Sequence, residues 1–227
     1  MYVVIVGAGR IGYNLAKMLI DAGHEVTLIE RDERRVREVG TLDAYVLHGS
    51  GINPALLESL NIQSADAIVA VTGDEAVNLT SCLVAKRLVA RTKRDKPFIT
   101  VARITDPEME RPFTELGIDR VISPEKAAAE YISGLIRSPG VVDVTAIGEG
   151  EAEVLELHID ENSPVIGKTL AEVSAMGDMS ASTVIAVYEN GRLIIPHGDT
   201  TLKAGMRVLL FCKTEESRKA RKLFLGR

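Results

Sequence analysis

One hexapeptide near the start of the chain restricts its fold more than any other stretch. Gly7-Ala8-Gly9-Arg10-Ile11-Gly12 reads GxGxxG, directly after the β-branched run Tyr2–Val6 and directly before a helical pattern. In that setting the three glycines do different things. Gly7 permits the tight turn, Gly9 lets the backbone approach a pyrophosphate, and Gly12 lets helix and strand pack closely. N–H groups left free at the helix start then face an anion. Five more strand patterns follow: EVTLIE (25–30), AYVLH (44–48), DAIVAV (66–71), FITVA (98–102) and RVI (120–122). Between the first two strands Ile11, Leu15, Met18, Leu19 and Ala22 keep helical spacing, with Gly23 as the stop; Ala76, Leu79 and Leu83 repeat it after the fourth. Strands that are apolar through most of their length and alternate with helices predict a parallel sheet covered on both faces. The fold class expected is α/β, a Rossmann-like doubly wound sheet, followed by a small α+β domain.

A further helix is predicted over 124–137, closing a first domain of residues 1–137. Ser123 suits the N-cap, Pro124 the first helical position and Glu125 the positive end of the dipole. Its stripe of Ala128, Tyr131, Ile132, Leu135 and Ile136 falls outside the six-strand unit, so it is expected to pack on the second domain or on another subunit; Ser138-Pro139-Gly140 ends it. From 142 to 227 the pattern changes. EVLELHI (153–159) alternates with a period of two, and TVIAVYE (183–189), Asn190-Gly191 and RLIIP (192–196) form a strong hairpin signal. RVLLFC (207–212) precedes a basic helix opened by Thr214 and two glutamates. Glu149, Glu151 and Glu153 read as a solvated linker, with calcium binding there left open.

Glu30 ends the second strand 18 residues after Gly12, where the ribose-binding acid of such folds belongs. A glutamate accepts hydrogen bonds from ribose hydroxyls and repels a 2′-phosphate by roughly 1–4 kcal/mol per charge pair at about 4 Å. NAD(H) is therefore expected over NADP(H), a preference moderated by the neighbouring Arg31. Arg10, inside the loop, suits a diphosphate or the additional charge of a triphosphate. Gly49 and Ser50 after the third strand, and Val71, Thr72, Gly73 and Asp74 after the fourth, are expected to line the adenosine side.

Composition excludes several classes. With 27 basic and 32 acidic residues the net charge is −5, which argues against a nucleic-acid coat. The longest apolar runs are about five residues, far below the ~20 that span a bilayer. Met1 leads straight into the first strand with no leader pattern, so a soluble cytoplasmic protein is expected. Cys82 and Cys212 are lone thiols that read as small core residues. Hydride transfer needs a proton donor or acceptor near the nicotinamide, and none of His24, His48, His158 and His197 is placed for it. The residues remaining after the first domain are few for a substrate domain. A nucleotide sensor is favoured, with an NAD-dependent oxidoreductase as the alternative. Arg87, Arg91, Lys93, Arg94 and Lys96 are read as complementing a helix C-terminus and solubilising its loop, not as a nucleic-acid surface.

The blocks VVIVGAGRIGYNLAKML, HEVTLIERDE, ADAIVAVTGDEAVNLTSCLVAK, VARITDPE and LGIDRVISPEKAAAEYI resemble the RCK (KTN) domain of the Trk/Ktr potassium-uptake regulators. SPVIGKTLAEV and NGRLIIPHGDTTLKAGMRVLLF resemble the RCK C-terminal domain. The resemblance covers nearly the whole chain in the family's order. It implies a cytosolic gating subunit that binds NAD(H) or ATP/ADP and pairs into dimers within an octameric ring. That ring would dock on an integral-membrane potassium-translocating subunit, peripheral to the inner face of the cell membrane. The resemblance carries Gly7, Gly9, Arg10 and Gly12 to the family's phosphate loop and Glu30 to its ribose acid. Thr72, Asp74 and Asn78 fit the pattern after the fourth strand, and Arg103 the arginine after the fifth. Glu125 matches an acidic position that helps some Ktr-type members bind a divalent cation between subunits; its other reading is a helix-start glutamate. One departure is visible: the family usually has Gly-Asp after the third strand, and here Ser50 replaces the carboxylate. A potassium-channel gating ring expressed without its pore is the other reading the resemblance leaves open.

Overall fold

The computed structural model describes residues 1–137, 141–148, 150–177, 179 and 181–226. The first strand, β1 (Tyr2–Val6), is buried along most of its length, and its period-2 side chains feed two cores. Val4 and Val6 enter one cluster, Val3 and Ile5 the other, on opposite faces of a six-stranded sheet. The chain continues through α1 (Arg10–Asp21), β2 (Glu25–Glu30), α2 (Glu33–Val39), β3 (Tyr45–His48), α3 (Pro54–Ser59) and β4 (Ala67–Ala70). It then forms α4 (Glu75–Val89), β5 (Ile99–Arg103), α5 (Glu110–Glu115), β6 (Arg120–Ile122) and α6 (Pro124–Arg137). Sheet order is β3-β2-β1-β4-β5-β6 with every pair parallel. This is the doubly wound order, whose reversal between β1 and β4 opens a crevice at the carboxyl ends of the strands.

The six strands expected in the first domain agree with those observed to within a residue at each end. Three short helices, α2, α3 and α5, give no periodic signal because six or seven residues hold barely two turns of pattern. Their starts are nevertheless written locally. Asp32 accepts the Arg34 and Arg35 N–H groups at the head of α2, and Asn53 the Ala55 N–H at the head of α3 beside Pro54. The basic cluster around Arg91 serves the fold: Arg91 pairs with Glu58 at 3.1 Å, and the Arg94 guanidinium lies 5.6 Å from the Phe98 ring centroid.

Two compact units meet between Ala127 and Ala128. Their border thus falls inside α6, where the sequence keeps the whole helix with the first domain. Tyr131, Ile132 and Ile136 on that helix are exposed, Ile136 to 75%. The Leu135 side chain, the stop at Ser138-Pro139-Gly140 and Glu149 lie outside the described residues.

The second unit holds β7 (Val141–Ile147), β8 (Ala152–His158), α7 (Leu170–Met176), β9 (Ser182–Glu189), β10 (Arg192–Ile194), β11 (Arg207–Lys213) and α8 (Ser217–Leu225). Its strands form an antiparallel sheet ordered β10-β9-β11-β8-β7. Asn190 and Gly191 both adopt positive φ, 51° and 78°, as the hairpin turn requires. Leu155, Leu157, Val208, Leu210 and Cys212 share one core with Phe224 and Leu225 of α8. Strand β7 is an addition to the expected elements, and together with β8 it corrects one expectation: Glu153 is not a solvated linker residue. It lies within β8, opposite Ala146 and Cys212, with its carboxylate 3.6 Å from Arg221.

Both cysteines are buried core residues. Burial pushes the Cys82 thiol up to about 12 and the Cys212 thiol up to about 11. Because the thiolate is the reactive form, neither is expected to react with a disulfide reagent at neutral pH in the folded protein. Both should react after unfolding in denaturant. Fast labelling of either thiol in the native state would contradict this packing. Among the described residues, no helix is long and apolar enough to cross a membrane.

Candidate functional site

The carboxyl ends of the parallel strands open onto a cleft of about 600 Å³. Its floor is the glycine loop. Gly7 has φ +101°, and a Cβ there would lie 3.0 Å from Thr72 Cγ2 and 3.1 Å from Thr72 N. Gly9, the residue ahead of α1, has no side chain to cap the helix, and no side-chain cap is present among the described residues, which leaves first-turn N–H groups able to face an anion. Gly12 does not line the cleft. A Cβ on it would sit 1.8 Å from the Gly7 carbonyl oxygen, so it serves the packing of α1 on the loop.

Glu30 ends β2 and is only 8% exposed. Its Oε2 accepts the Ala8 N–H at 2.7 Å, while Oε1 accepts the Arg31 and Asp32 N–H groups at 2.8 and 2.9 Å. The carboxylate thus fastens the glycine loop to the β2–α2 turn, and Oε2 retains capacity for one more donor. Ala8 takes part through this N–H while its own side chain is buried. Arg10 and Ile11 line the cleft from α1, Arg31 from the β2–α2 turn, and Gly49 and Ser50 from the end of β3. His48 is exposed beside them, its Nε2 2.9 Å from the Arg31 carbonyl oxygen.

The opposite wall is the turn after β4. Val71, Thr72, Gly73 and Asp74 all line it, and Asp74 caps α4 by accepting the Val77 N–H at 3.1 Å. Asn78 stands behind them, 1% exposed and away from the cleft. Its Oδ1 accepts the Thr72 N–H at 2.9 Å and the Thr72 hydroxyl at 2.7 Å. Its Nδ2 donates to the carbonyls of Thr72 at 3.1 Å and Arg103 at 2.9 Å. Asn78 therefore positions the wall by joining the ends of β4 and β5. Glu75, one turn earlier on α4, accepts from the Thr105 hydroxyl and the N–H groups of Thr105 and Asp106, which holds its carboxyl below the usual range.

Arg103 reaches the cleft from β5 and pairs with Glu125 in the first turn of α6. Its Nη1 is 3.5 Å from the Thr72 carbonyl, and its buried Nε has no hydrogen-bond partner among the described residues. Glu125 also lines the cleft. No group of three or more His, Cys, Asp or Glu side chains suited to a metal is present among the described residues.

The structure thus brings most of the expected residues to one cleft and moves Ala8, Gly12 and Asn78 to its support. It also adds residues the sequence pattern does not mark. Gly51 lines the cleft where a Cβ would meet Val6 Cγ1 at 2.4 Å, and Arg35 reaches it from α2. The signal that could have found Arg35 is Asp32, whose capping of α2 fixes where the following arginines stand.

Residues 3–124 match the TrkA-N domain family and residues 154–225 the TrkA-C domain family. The chain is 41% identical over 227 residues to the Trk system potassium uptake protein TrkA homolog of Methanothermobacter thermautotrophicus, covering 100% of both. It is 36% identical over 230 residues to the homolog of Pyrococcus abyssi, covering 98% of this chain and 97% of that one. Among solved structures, the GsuK RCK domain shares the fold at 20% identity and a TM-score of 0.67, over 99% of this chain and 47% of that one. The GsuK channel bound to NAD likewise gives 20% identity and a TM-score of 0.67, over 98% of this chain and 39% of that one. The chain therefore spans less than half the length of those solved chains.

Proposed function

The chain belongs to the TrkA family, carrying both its TrkA-N and TrkA-C domains, and on that premise we propose that it is the nucleotide-sensing regulatory subunit of a Trk-type potassium uptake system. The observation that supports this reading most is the convergence of the glycine loop, the uncapped start of α1 and the end of β2 at the switch point of the sheet. The ligands are NAD(H) and ATP or ADP, competing for the one cleft. A ribose hydroxyl meets the one remaining acceptor position of Glu30 Oε2. Phosphates meet Arg10 and the α1 N–H groups, and the adenosine side meets Ser50 and the turn after β4. No catalytic residue is assigned, and the protein acts by changing shape.

Arg103 links ligand to shape. A phosphate and the Glu125 carboxylate compete for the same guanidinium, so a bound polyphosphate frees the first turn of α6. The released carboxylate then becomes available to a divalent cation. The exposed stripe of α6 packs on a second copy, dimers assemble into an octameric ring, and the ring docks on the membrane partner at the cytoplasmic face. Moving a gate from 1:99 to 99:1 takes about 5.5 kcal/mol of differential binding. Spread over the eight sites of such a ring this is roughly 0.7 kcal/mol each, so modest preferences suffice.

Calorimetric titration with NADH, NAD, NADPH, ATP and ADP, with and without magnesium, tests the reading. Expected are micromolar, mutually competitive binding of NADH and an adenine nucleotide, NADPH weaker than NADH, and nucleotide-dependent potassium flux once the partner is reconstituted in vesicles. Tight NADH binding with no response to ATP or ADP would favour the oxidoreductase instead. No binding of any nucleotide would overturn the sensor.

A further inference from the structure

Helix α2 carries three arginines. Arg34 lies 4.0 Å from the Asp32 carboxylate and Arg37 3.1 Å from Glu33, so both find partners on their own segment. Arg35 is different. Its charge also helps hold the Asp32 carboxyl below the usual range, but it has no carboxylate within ion-pair distance among the described residues, and its Nη1 lies 3.7 Å from where a Cβ on Gly9 would stand. Gly9 is the loop residue whose bare backbone admits a phosphate. The guanidinium therefore occupies the phosphate face of the loop, beside the uncapped start of α1.

The charges around it favour an anion. Each cleft carboxylate is already engaged: Glu30 by three N–H groups, Asp74 by the Val77 N–H and Glu125 by Arg103. Arg10 and Arg31, like Arg35, have no carboxylate within ion-pair distance among the described residues. Arg10 comes from α1 and Arg35 from α2, so the loop is approached by cations from two elements.

We infer that Arg35 is a phosphate-binding residue that clamps the diphosphate of a bound nucleotide against the Gly9 face of the glycine loop. This rests on the nucleotide reading above and assigns a residue that the glycine motif does not contain. A guanidinium grips two phosphate oxygens at once through its planar fork. Ligands with a di- or triphosphate depend on Arg35, and a nucleoside without phosphate does not.

The test titrates ADP, NADH and adenosine into the wild type, Arg35→Gln, Arg35→Lys and, as a neighbouring control, Arg34→Gln. Arg35→Gln is expected to weaken ADP and NADH by about tenfold or more, the scale of one lost charge-assisted contact, with adenosine unchanged. Arg35→Lys recovers part of the loss, Arg34→Gln binds like the wild type, and all variants melt with it because these side chains are exposed. Unchanged ADP affinity in Arg35→Gln, or equal weakening of ADP and adenosine, would overturn the assignment. If the wild type bound none of the three, the nucleotide reading itself would fall and the role of Arg35 with it. Normal wild-type binding beside an indifferent Arg35→Gln would remove the role of Arg35 alone.

Discussion

Gly12→Ala is expected to abolish nucleotide binding and to lower the melting temperature of the first unit by roughly 10 °C, from a loss of about 3 kcal/mol. The added Cβ would stand 1.8 Å from the Gly7 carbonyl oxygen. Neither atom can turn aside, because one belongs to helix backbone and the other to a loop residue held by the Ile29 carbonyl through a 2.8 Å hydrogen bond. Relief requires α1 to move off the loop, and the α1 N–H groups leave the cleft with it. Thermal melting together with ADP titration checks both halves. A Gly12→Ala protein that melts and binds like the wild type would show that the α1–loop contact is looser than these distances state.

Asn78→Ala is expected to cost about 2–5 kcal/mol and to weaken nucleotide binding without removing any group from the cleft. The side chain satisfies the Thr72 N–H, the Thr72 carbonyl and the Arg103 carbonyl in a site that is 1% exposed. Truncation leaves these groups without that partner and unties the end of β4 from the end of β5, which carries Arg103. Asn78→Asp does not rescue: it keeps the acceptor for Thr72 but sets a carboxylate against two carbonyl oxygens. Melting curves and ADP titrations of the two variants decide the role. Loss of binding at unchanged stability would return Asn78 to direct ligand contact, as the family resemblance implied.

The two residues differ in how legible they are. Gly12 is written in a hexapeptide, and the clash that fixes it lies within that hexapeptide, so sequence spacing alone exposes its role. Asn78 carries the same motif-level signal as Thr72 and Asp74, yet it points the other way on α4, into the join between two strands. Sequence spacing places it near the site without distinguishing lining from support. Glu30 is intermediate. Its place at the end of β2 is readable, but its engagement by three backbone N–H groups depends on how the glycine loop folds back over it.

In the second unit the alternation of β8 and β11 and the Asn190-Gly191 turn are readable. The capping box of Thr169 and Glu172 that opens α7 is written in the sequence too, but seven residues carry too little periodicity to draw attention to it. Glu153 reads as linker because two glutamates precede it at spacings of two; only its pairing within β8 places the carboxylate beside Arg221.

By itself, the sequence determined the strands other than β7, the longer helices, the parallel order implied by their alternation and the location of the cleft. These follow from periodicity and turn chemistry within a few residues, where steric and hydrogen-bonding rules act locally. Only the tertiary structure decided which side chains share the cleft. Arg35 meets Gly9, and Arg103 meets Glu125, across separations of more than 20 residues. Such meetings depend on the twist of the sheet and the direction in which each helix presents its faces, which a linear pattern does not encode.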